Sequence, residues 1–297
     1  MTLAEASAAH AVLREESDLP WAVLYDSRAG APQFFGPTAL HDDMHIRLAS
    51  VSKLVIGLVY ARLVKSGTLR PEDTLGDDTL NDLATHATGL QDALHDPAFR
   101  AIVNADVTQP QPLDRVIEAS LNLPRVTPPN YANINAILLA RACERATERP
   151  FSDLLPDCDG LTFPADGRIP APSPGGVRRG RADGRIEYGD TLFDASRYNP
   201  SWAGHSGTGT LRVGAIPAFC DIIVAAIARE TPRQDSGYQN LARFENGWVC
   251  HAGDVPGASA WAGHHPSTNR TVFAATGLCW SKSLGNPAEA IAKASLK

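Results

Sequence analysis

Positive charge is in short supply in this sequence. Its 297 residues carry 27 lysines and arginines against 33 aspartates and glutamates, a net charge of −6. That balance gives no electrostatic footprint for nucleic acid or an anionic membrane surface. Long apolar runs are missing too: no stretch approaches the roughly 20 apolar residues that a spanning helix needs. Cysteines number five, Cys143, Cys158, Cys220, Cys250 and Cys279. The set is odd, contains no Cys-x-x-Cys pair and sits mostly among apolar neighbours, so it reads as reduced, buried thiols rather than a disulfide framework. No glycine-rich phosphate loop or dinucleotide fingerprint occurs, since the Gly-Thr-Gly-Thr run at 207–210 follows no strand-turn-helix pattern. His41 and His45 have the i, i+4 spacing of a metal pair but lack the helix-borne glutamate of the zinc proteases. No metal and no cofactor is therefore expected. The opening residues lack the basic start and apolar stretch of a secretory signal, so the expected location is cytoplasmic.

Apolar residues make up 43% and charged residues 20% of the chain, which fits a globular protein with a sizeable core. Residues 1–18 read as an amphipathic helix, with Leu3, Ala6, Val12 and Leu13 on one side. WAVLYD and APQFFGPT, around an Arg-Ala-Gly turn, predict a hairpin. From Ser50 an apolar run continues to Val64 and closes at Lys65-Ser66-Gly67, with Leu54, Leu58 and Leu63 near a helical period. Residues 68–125 read as short helices and loops, and a strong helix starts at about Asn133. Residues 156–200 are rich in Gly, Pro, Arg and Asp and predict a long surface excursion, within which GGVRRGRADGR reads as a solvated basic segment. LRVGAIPAFCDIIVAAIARE predicts a helix. NGWVCHAG, ASAWAGHH and TVFAATGLCW predict strands separated by turns at DVPG and PSTNR, with His264 and His265 as exposed turn residues. A last helix is capped by Asn286, with Pro287 just inside it. Strands at both ends and helices between them predict one α/β (α+β) domain. Its antiparallel sheet comes from both termini and is flanked by helices: a sheet lobe of about 1–60 plus 205–297, and an inserted, mostly helical lobe of about 61–204.

Ser50 and Lys53 stand three residues apart at the start of the first long helix. Three helical residues turn through about 300°, placing both side chains on neighbouring rows of one face. A partly desolvated lysine there has a lowered pKa and can take the serine proton, which makes Ser50 a candidate nucleophile for acyl transfer. The competing reading is an ordinary serine N-cap. Tyr131-Ala132-Asn133 adds a phenol able to shuttle a proton and a carboxamide able to hold a substrate carbonyl or amide. There the competing reading is a packed aromatic and a helix cap at Asn133. His86 reads as a structural brace.

Several stretches together resemble the serine β-lactamase and penicillin-binding-protein superfamily, most closely its class C, esterase and D-amino-peptidase branch. MHIRLASVSKLVIGLVYARLVKSGTLRPEDTL is similar to that family's nucleophile helix. NDLATHATGL resembles its His-Thr-Ser-Gly-Leu segment, with Ala87-Thr88 in place of Thr-Ser. PPNYANINAILLARACERATERPFSDLL resembles its Tyr-x-Asn motif and following helix, and GTLRVGAIPAFCDII the helix before its last strands. CHAGDVPGASAWAGHH resembles its third motif, Lys-Thr-Gly or a His-x-Gly variant, on an edge strand followed by two strands and a helix. His205-Ser206-Gly207 competes for that third motif, but a helix is expected to follow it at once. His251-Ala252-Gly253 is therefore preferred.

The resemblance implies a β-lactamase/transpeptidase-like fold without cofactor. Ser50 is then the nucleophile, with Lys53 and Tyr131 sharing the proton work. Asn133, His251, Ala252, Gly253 and Asp254 contact substrate, and the N–H groups of Ser50 and Asp254 form an oxyanion hole. Two departures stand out: His251 replaces a common lysine, and Asp254 replaces a small residue and is expected to put an acid beside the acyl site, favouring neutral or amine-bearing substrates. The class A acidic loop and a Ser-Asp-Asn motif are not evident. The expected activity is that of an intracellular serine hydrolase of ester or amide small molecules. Its alternatives are a transacylase with an amine or alcohol acceptor, a β-lactamase or D-amino-acid peptidase, and an inactive binding protein. Neither nucleic acid nor membrane is an expected partner.

Overall fold

A computed structural model of the protein describes residues 19–180, 189–281 and 283–296. The expected amphipathic helix at 1–18 lies outside them. Fourteen strands occur among the described residues: β1 Ala22–Asp26, β2 Gln33–Phe35, β3 His45–Arg47, β4 Thr74–Leu75, β5 Asp78–Thr79, β6 Leu161–Thr162, β7 Val177–Gly180, β8 Thr191–Asp194, β9 Thr210–Arg212, β10 Gly237–Gln239, β11 Ala242–Glu245, β12 Trp248–Val255, β13 Ala258–His265 and β14 Arg270–Thr276. The main helices are α1 Ser52–Lys65, α2 Leu80–Thr85, α3 Pro97–Ala105, α4 Leu113–Leu121, α5 Asn133–Thr147, α6 Ile216–Phe219, α7 Ala225–Glu230 and α8 Pro287–Ser295, with a π-helical stretch Cys220–Val224 joining α6 to α7.

Seven strands form the central antiparallel sheet in the order β10-β11-β12-β13-β14-β1-β2, so the two ends of the chain meet where β14 pairs with β1. β1 and β14 are buried at every position. Their near-continuous apolar runs follow from that: one face packs on α1 and the α6–α7 helix, the other on α8, so neither face alternates with polar residues. Between the sheet strands the chain builds α2 to α5 and a small second sheet, β3-β9-β6. The mixed architecture and the sheet drawn from both ends match the sequence expectation. Asn286 caps α8 as expected, accepting the Glu289 N–H, with Pro287 in the first turn.

Helix α1 is buried all round from Ser52 to Ala61, because it runs through the middle of the core. A side chain at Gly57 would strike the Asn240 carbonyl at 1.8 Å, so that crossing requires glycine. Three local expectations are corrected. A strand, β9, follows His205 before the next helix. The basic segment is partly ordered as strand β7, with Arg178 buried over the Tyr198 ring at 5.3 Å, while its residues 181–185 lie outside the described residues. His264 is buried against Thr271 at 2.8 Å instead of standing in a turn, because β13 continues through it. All five cysteines are buried and none forms a disulfide among the described residues.

Strands β1 and β14 and helix α8 are tied by one buried ion pair. Arg270 Nη2 donates to Asp26 Oδ2 at 2.6 Å and to the Ser295 carbonyl at 2.9 Å, and the two charged side chains are almost wholly enclosed. Removing one partner strands the other charge in the core, so Arg270→Ala is expected to cost about 3–5 kcal/mol. Replacing both partners by apolar residues, Asp26→Leu with Arg270→Met, is expected to recover most of that loss. Urea midpoints of the three proteins measure both effects.

Candidate active site

Strand β3 delivers the chain to Leu48, and Ala49 then turns it sharply with φ of +47°, a left-handed conformation that costs a non-glycine residue about 1–2 kcal/mol. Ala49 is held there by packing on Val255 and Ala258. Ser50 lies in the 3₁₀ turn Ala49–Val51, not at the cap of α1: the cap position is Val51, and no side chain caps it. The serine hydroxyl is instead committed to two side chains. Lys53 Nζ is 3.0 Å from Ser50 Oγ, and Tyr131 Oη donates to the same oxygen at 3.1 Å.

Lys53 is fully buried, and burial pulls its ammonium down to about 7, opposed in part by the charge of Asp92. Besides Ser50, its nitrogen reaches Asn133 Oδ1 at 2.7 Å and the Ser206 carbonyl at 3.3 Å. Three neighbours suit both states of the amine. The ammonium gives three donors; the neutral amine gives two donors and one lone pair, which then faces the Ser50 hydroxyl. A proton can pass from Ser50 to Lys53 without any side chain moving.

Asn133 is not the cap of its helix either. Its backbone is the first residue of α5 after Ala132, and its Nδ2 donates to Asp92 Oδ2 at 3.0 Å. Asp92 also accepts the Ile134 N–H at 3.1 Å, so a distant carboxylate caps α5 and at the same time fixes which end of the Asn133 amide faces Lys53. Burial lifts the Asp92 carboxyl above its usual range, against the pull of Lys53 and the two backbone hydrogen bonds.

Tyr131 keeps 41% of its surface open, yet its hydroxyl is set deep against Ser50, and burial raises the phenol well above its usual value. Its ring leans on His86 at 4.6 Å, Tyr238 at 5.7 Å and His251 at 5.9 Å between centroids. Burial pulls His86 down to about 3, so the imidazole is neutral. Its Nδ1 accepts from the Ala132 N–H at 3.4 Å and faces Asn135 Nδ2 at 3.0 Å, while Thr88 Oγ1 donates to Asn135 Oδ1 at 2.7 Å. His86 and Thr88 of the HATGL stretch thereby hold the Tyr131 loop in place.

Strand β12 closes the site. A methyl group at Gly253 would lie 2.2 Å from the Ser50 nitrogen, so the strand backbone presses directly on the candidate nucleophile. His251 and Gly253 share that face. Ala252 and Asp254 point to the other, where Asp254 Oδ2 takes a hydrogen bond from Asn286 Nδ2 at 3.0 Å. The acid expected beside the acyl site is therefore absent from it, because strand alternation turns Asp254 toward α8; Ala252 and Asp254 can offer the site only their backbone. β12 is also no simple edge strand: β11 pairs with it as far as Cys250 and then ends, leaving only the Ala252–Asp254 portion open on that side. Two strands and a helix follow it, as expected. The competing His205-Ser206-Gly207 segment enters the site too, through the Ser206 carbonyl on Lys53.

The structure thus gathers Ser50, Lys53, Tyr131, Asn133, His251 and Gly253 around one point. Sequence reasoning missed Asp92, Tyr238 and the Ser206 carbonyl. Asp92 stands two residues after the HATGL stretch, but nothing in its spacing links it to Asn133. A cavity of about 1240 Å³ beside α4 and α5 is lined by none of these residues. Among the described residues no cluster of three or more His, Cys, Asp or Glu could hold a metal ion, and no helix is long and apolar enough to cross a membrane.

Comparison with known proteins agrees with this picture. The family model described as Beta-lactamase matches residues 10–157. No curated protein matches the chain. Among solved structures, a D-stereospecific amidohydrolase from Streptomyces sp. superposes with a TM-score of 0.76 at 18% identity, covering 98% of both chains. A D-amino acid amidase from Ochrobactrum anthropi SV3 gives 0.75 at 14% identity, covering 99% of this chain and 97% of its own. A class C β-lactamase from Rhodobacter sphaeroides gives 0.69 at 15% identity, covering 99% and 98%.

Contact between Gly253 and Ser50 makes a sharp test. Gly253→Ala must push the strand or the serine aside, and a displacement of about 1 Å at a reacting centre costs on the order of 10²-fold in rate. Fluorophosphonate labelling of Gly253→Ala is expected to slow by that order, whereas Ala252→Ser, facing away, is expected to label like the parent protein.

Proposed function

The chain belongs to the serine β-lactamase and penicillin-binding-protein superfamily, and from that premise we propose that it is a serine hydrolase of ester or amide small molecules that works through a Ser50 acyl-enzyme. The observation that carries this reading is the pair of contacts on one oxygen: Lys53 Nζ at 3.0 Å and Tyr131 Oη at 3.1 Å from Ser50 Oγ.

Neutral Lys53 takes the Ser50 proton as Oγ bonds to the substrate carbonyl carbon, and the carbonyl electron pair moves onto oxygen. The N–H groups of Ser50 and Asp254 hold that oxyanion. In an antiparallel hairpin closed by the two residues Pro256-Gly257, alternate N–H groups face away from the partner strand, and Asp254 is one of them, on the side where β11 has ended. Tyr131, whose raised pKa keeps it protonated, gives its hydroxyl proton to the leaving nitrogen or oxygen as that bond to carbon breaks, and is reprotonated by the Lys53 ammonium. Water, deprotonated by the same pair, then attacks the Ser50 ester and restores the enzyme.

His251 shapes the substrate. Its Nδ1 lies 2.6 Å from the Ala252 carbonyl, which can only accept, so Nδ1 carries the proton. Burial holds the ring far below its usual pKa and hence neutral, leaving Nε2 as a buried lone pair without a partner in the described residues. Such an atom is matched by a substrate N–H or O–H and not by a carboxylate. This supports uncharged amide or hydroxyl-bearing donors. The amine preference once attached to Asp254 has no support, since that side chain faces α8.

Intact-mass analysis after fluorophosphonate treatment is expected to show one adduct on Ser50, abolished in Ser50→Ala; an unmodified parent protein points to a binding protein instead. Products formed with and without an added amine tell hydrolysis from transacylation. The pH profile gives a sharper check. Because Lys53 must be neutral to act, kcat/KM for a chromogenic ester is expected to rise with pH, about tenfold per unit below a midpoint near 7, and to level above it. The Asp92 charge favours the ammonium, so Asp92→Asn is expected to move that midpoint to lower pH. A midpoint that stays put or moves upward contradicts the assigned coupling.

A further inference from the structure

Strand β3 carries a buried arginine three residues ahead of Ser50. Arg47 is 6% exposed. Its Nη1 donates to the Gly167 carbonyl at 3.0 Å and its Nη2 to the Tyr198 carbonyl at 3.2 Å. No carboxylate among the described residues pairs with it. Buried charges are ordinarily paired, because an enclosed ion without a counter-ion costs several kcal/mol. Burial alone draws the guanidinium down to about 10, which leaves it fully charged at neutral pH.

Arg47 lines a cleft of about 290 Å³, and two more arginines, Arg168 and Arg197, line it as well. None of the lining residues is acidic. The carboxylates nearby are already engaged. Asp106 accepts from the Thr108 N–H, Thr108 Oγ1 and Gln109 Nε2, and Asp166 meets Arg168 Nε at 3.4 Å and the Arg168 N–H at 3.0 Å. Asp194 accepts from the Ser196 N–H. Arg197 makes no ion pair within 4 Å among the described residues, although Asp106 and Asp194 are near enough to feel its charge.

We propose that this cleft binds a phosphate group, held by Arg47, Arg168 and Arg197. A dianion matches several guanidinium groups where a single carboxylate matches one, and the planar guanidinium fork fits phosphate oxygens two at a time. The volume lies at the lower end of ligand pockets, so it admits a phosphate or a small phosphorylated molecule. The bound anion supplies the counter-ion that Arg47 lacks. The three arginines come from three places in the chain, at 47, 168 and 197, so the anion also cross-links β3 to the two loops that β3 holds by its carbonyl contacts.

The test uses the full chain and ligands at matched ionic strength. Inorganic phosphate, glycerol 3-phosphate and acetate are titrated by calorimetry and by thermal melting. Arg47 is left in place, because its loss endangers folding, and the solvent-reaching arginines are removed in Arg197→Ala and in Arg168→Ala with Arg197→Ala. Saturable phosphate binding that raises Tm, weakened about tenfold or more in the double variant with Ser50 labelling unchanged, supports the site. Equal affinity for both phosphates then identifies free phosphate as the ligand, and tighter glycerol 3-phosphate binding identifies a phosphorylated organic molecule. No saturable binding, acetate binding as well as phosphate, or binding unchanged in the double variant overturns the proposal.

Discussion

Everything around Ser50 depends on keeping one lysine out of water. Lys53 carries its amine on a helix buried on every side, and the fold meets the cost of that burial by letting the ammonium lose its proton near neutrality. The amine is then held by a carboxamide and a main-chain carbonyl that serve it equally well charged or neutral. This explains why the site recruits residues that lack reactivity of their own. Asn133 faces Lys53 with its oxygen only because Asp92 claims its nitrogen, and the Ser206 carbonyl is there only because the segment after residue 200 runs behind the helix.

The second constraint is the approach of β12. A strand backbone can lie against a serine backbone only where one of the two lacks a side chain, and Gly253 meets that condition. The same alternation that aims Gly253 and His251 at the site aims Ala252 and Asp254 away from it. One register thus decides both what β12 gives the pocket and what it withholds: a neutral imidazole with a free lone pair is given, and the Asp254 carboxylate is withheld.

Part of this is legible in the sequence. The apolar helix after a polar turn and the strands broken by proline-glycine and asparagine turns are strong local patterns, whereas Ser50, Lys53, Tyr131, Asn133, His251 and Gly253 stand out as a set only through the resemblance of their stretches to the serine β-lactamase and penicillin-binding-protein superfamily. The order of strands and helices fixed the sheet in outline. What stayed hidden was set by tertiary geometry. The competing cap readings of Ser50 and Asn133, residue types that favour caps, fail because Lys53 and Tyr131 claim the serine hydroxyl while Lys53 and Asp92 claim the amide. Asp254 read as an active-site acid because a sequence does not show which face of a strand it turns to until the register is known. Asp92 is 41 residues from the amide it orients, and no short-range rule reaches that far.

The pairing of β1 with β14 has a consequence for how the protein comes to be. Ala22 lies opposite Thr276, so β1 must wait for a partner made far later in the chain, and contacts so distant along the chain form slowly. Ser50, Lys53 and Tyr131 are all synthesised well before β12 exists. Until the closing strands arrive, Ser50 has Lys53 and Tyr131 to meet but no β12 backbone against it, and the nascent chain carries the proposed site half built.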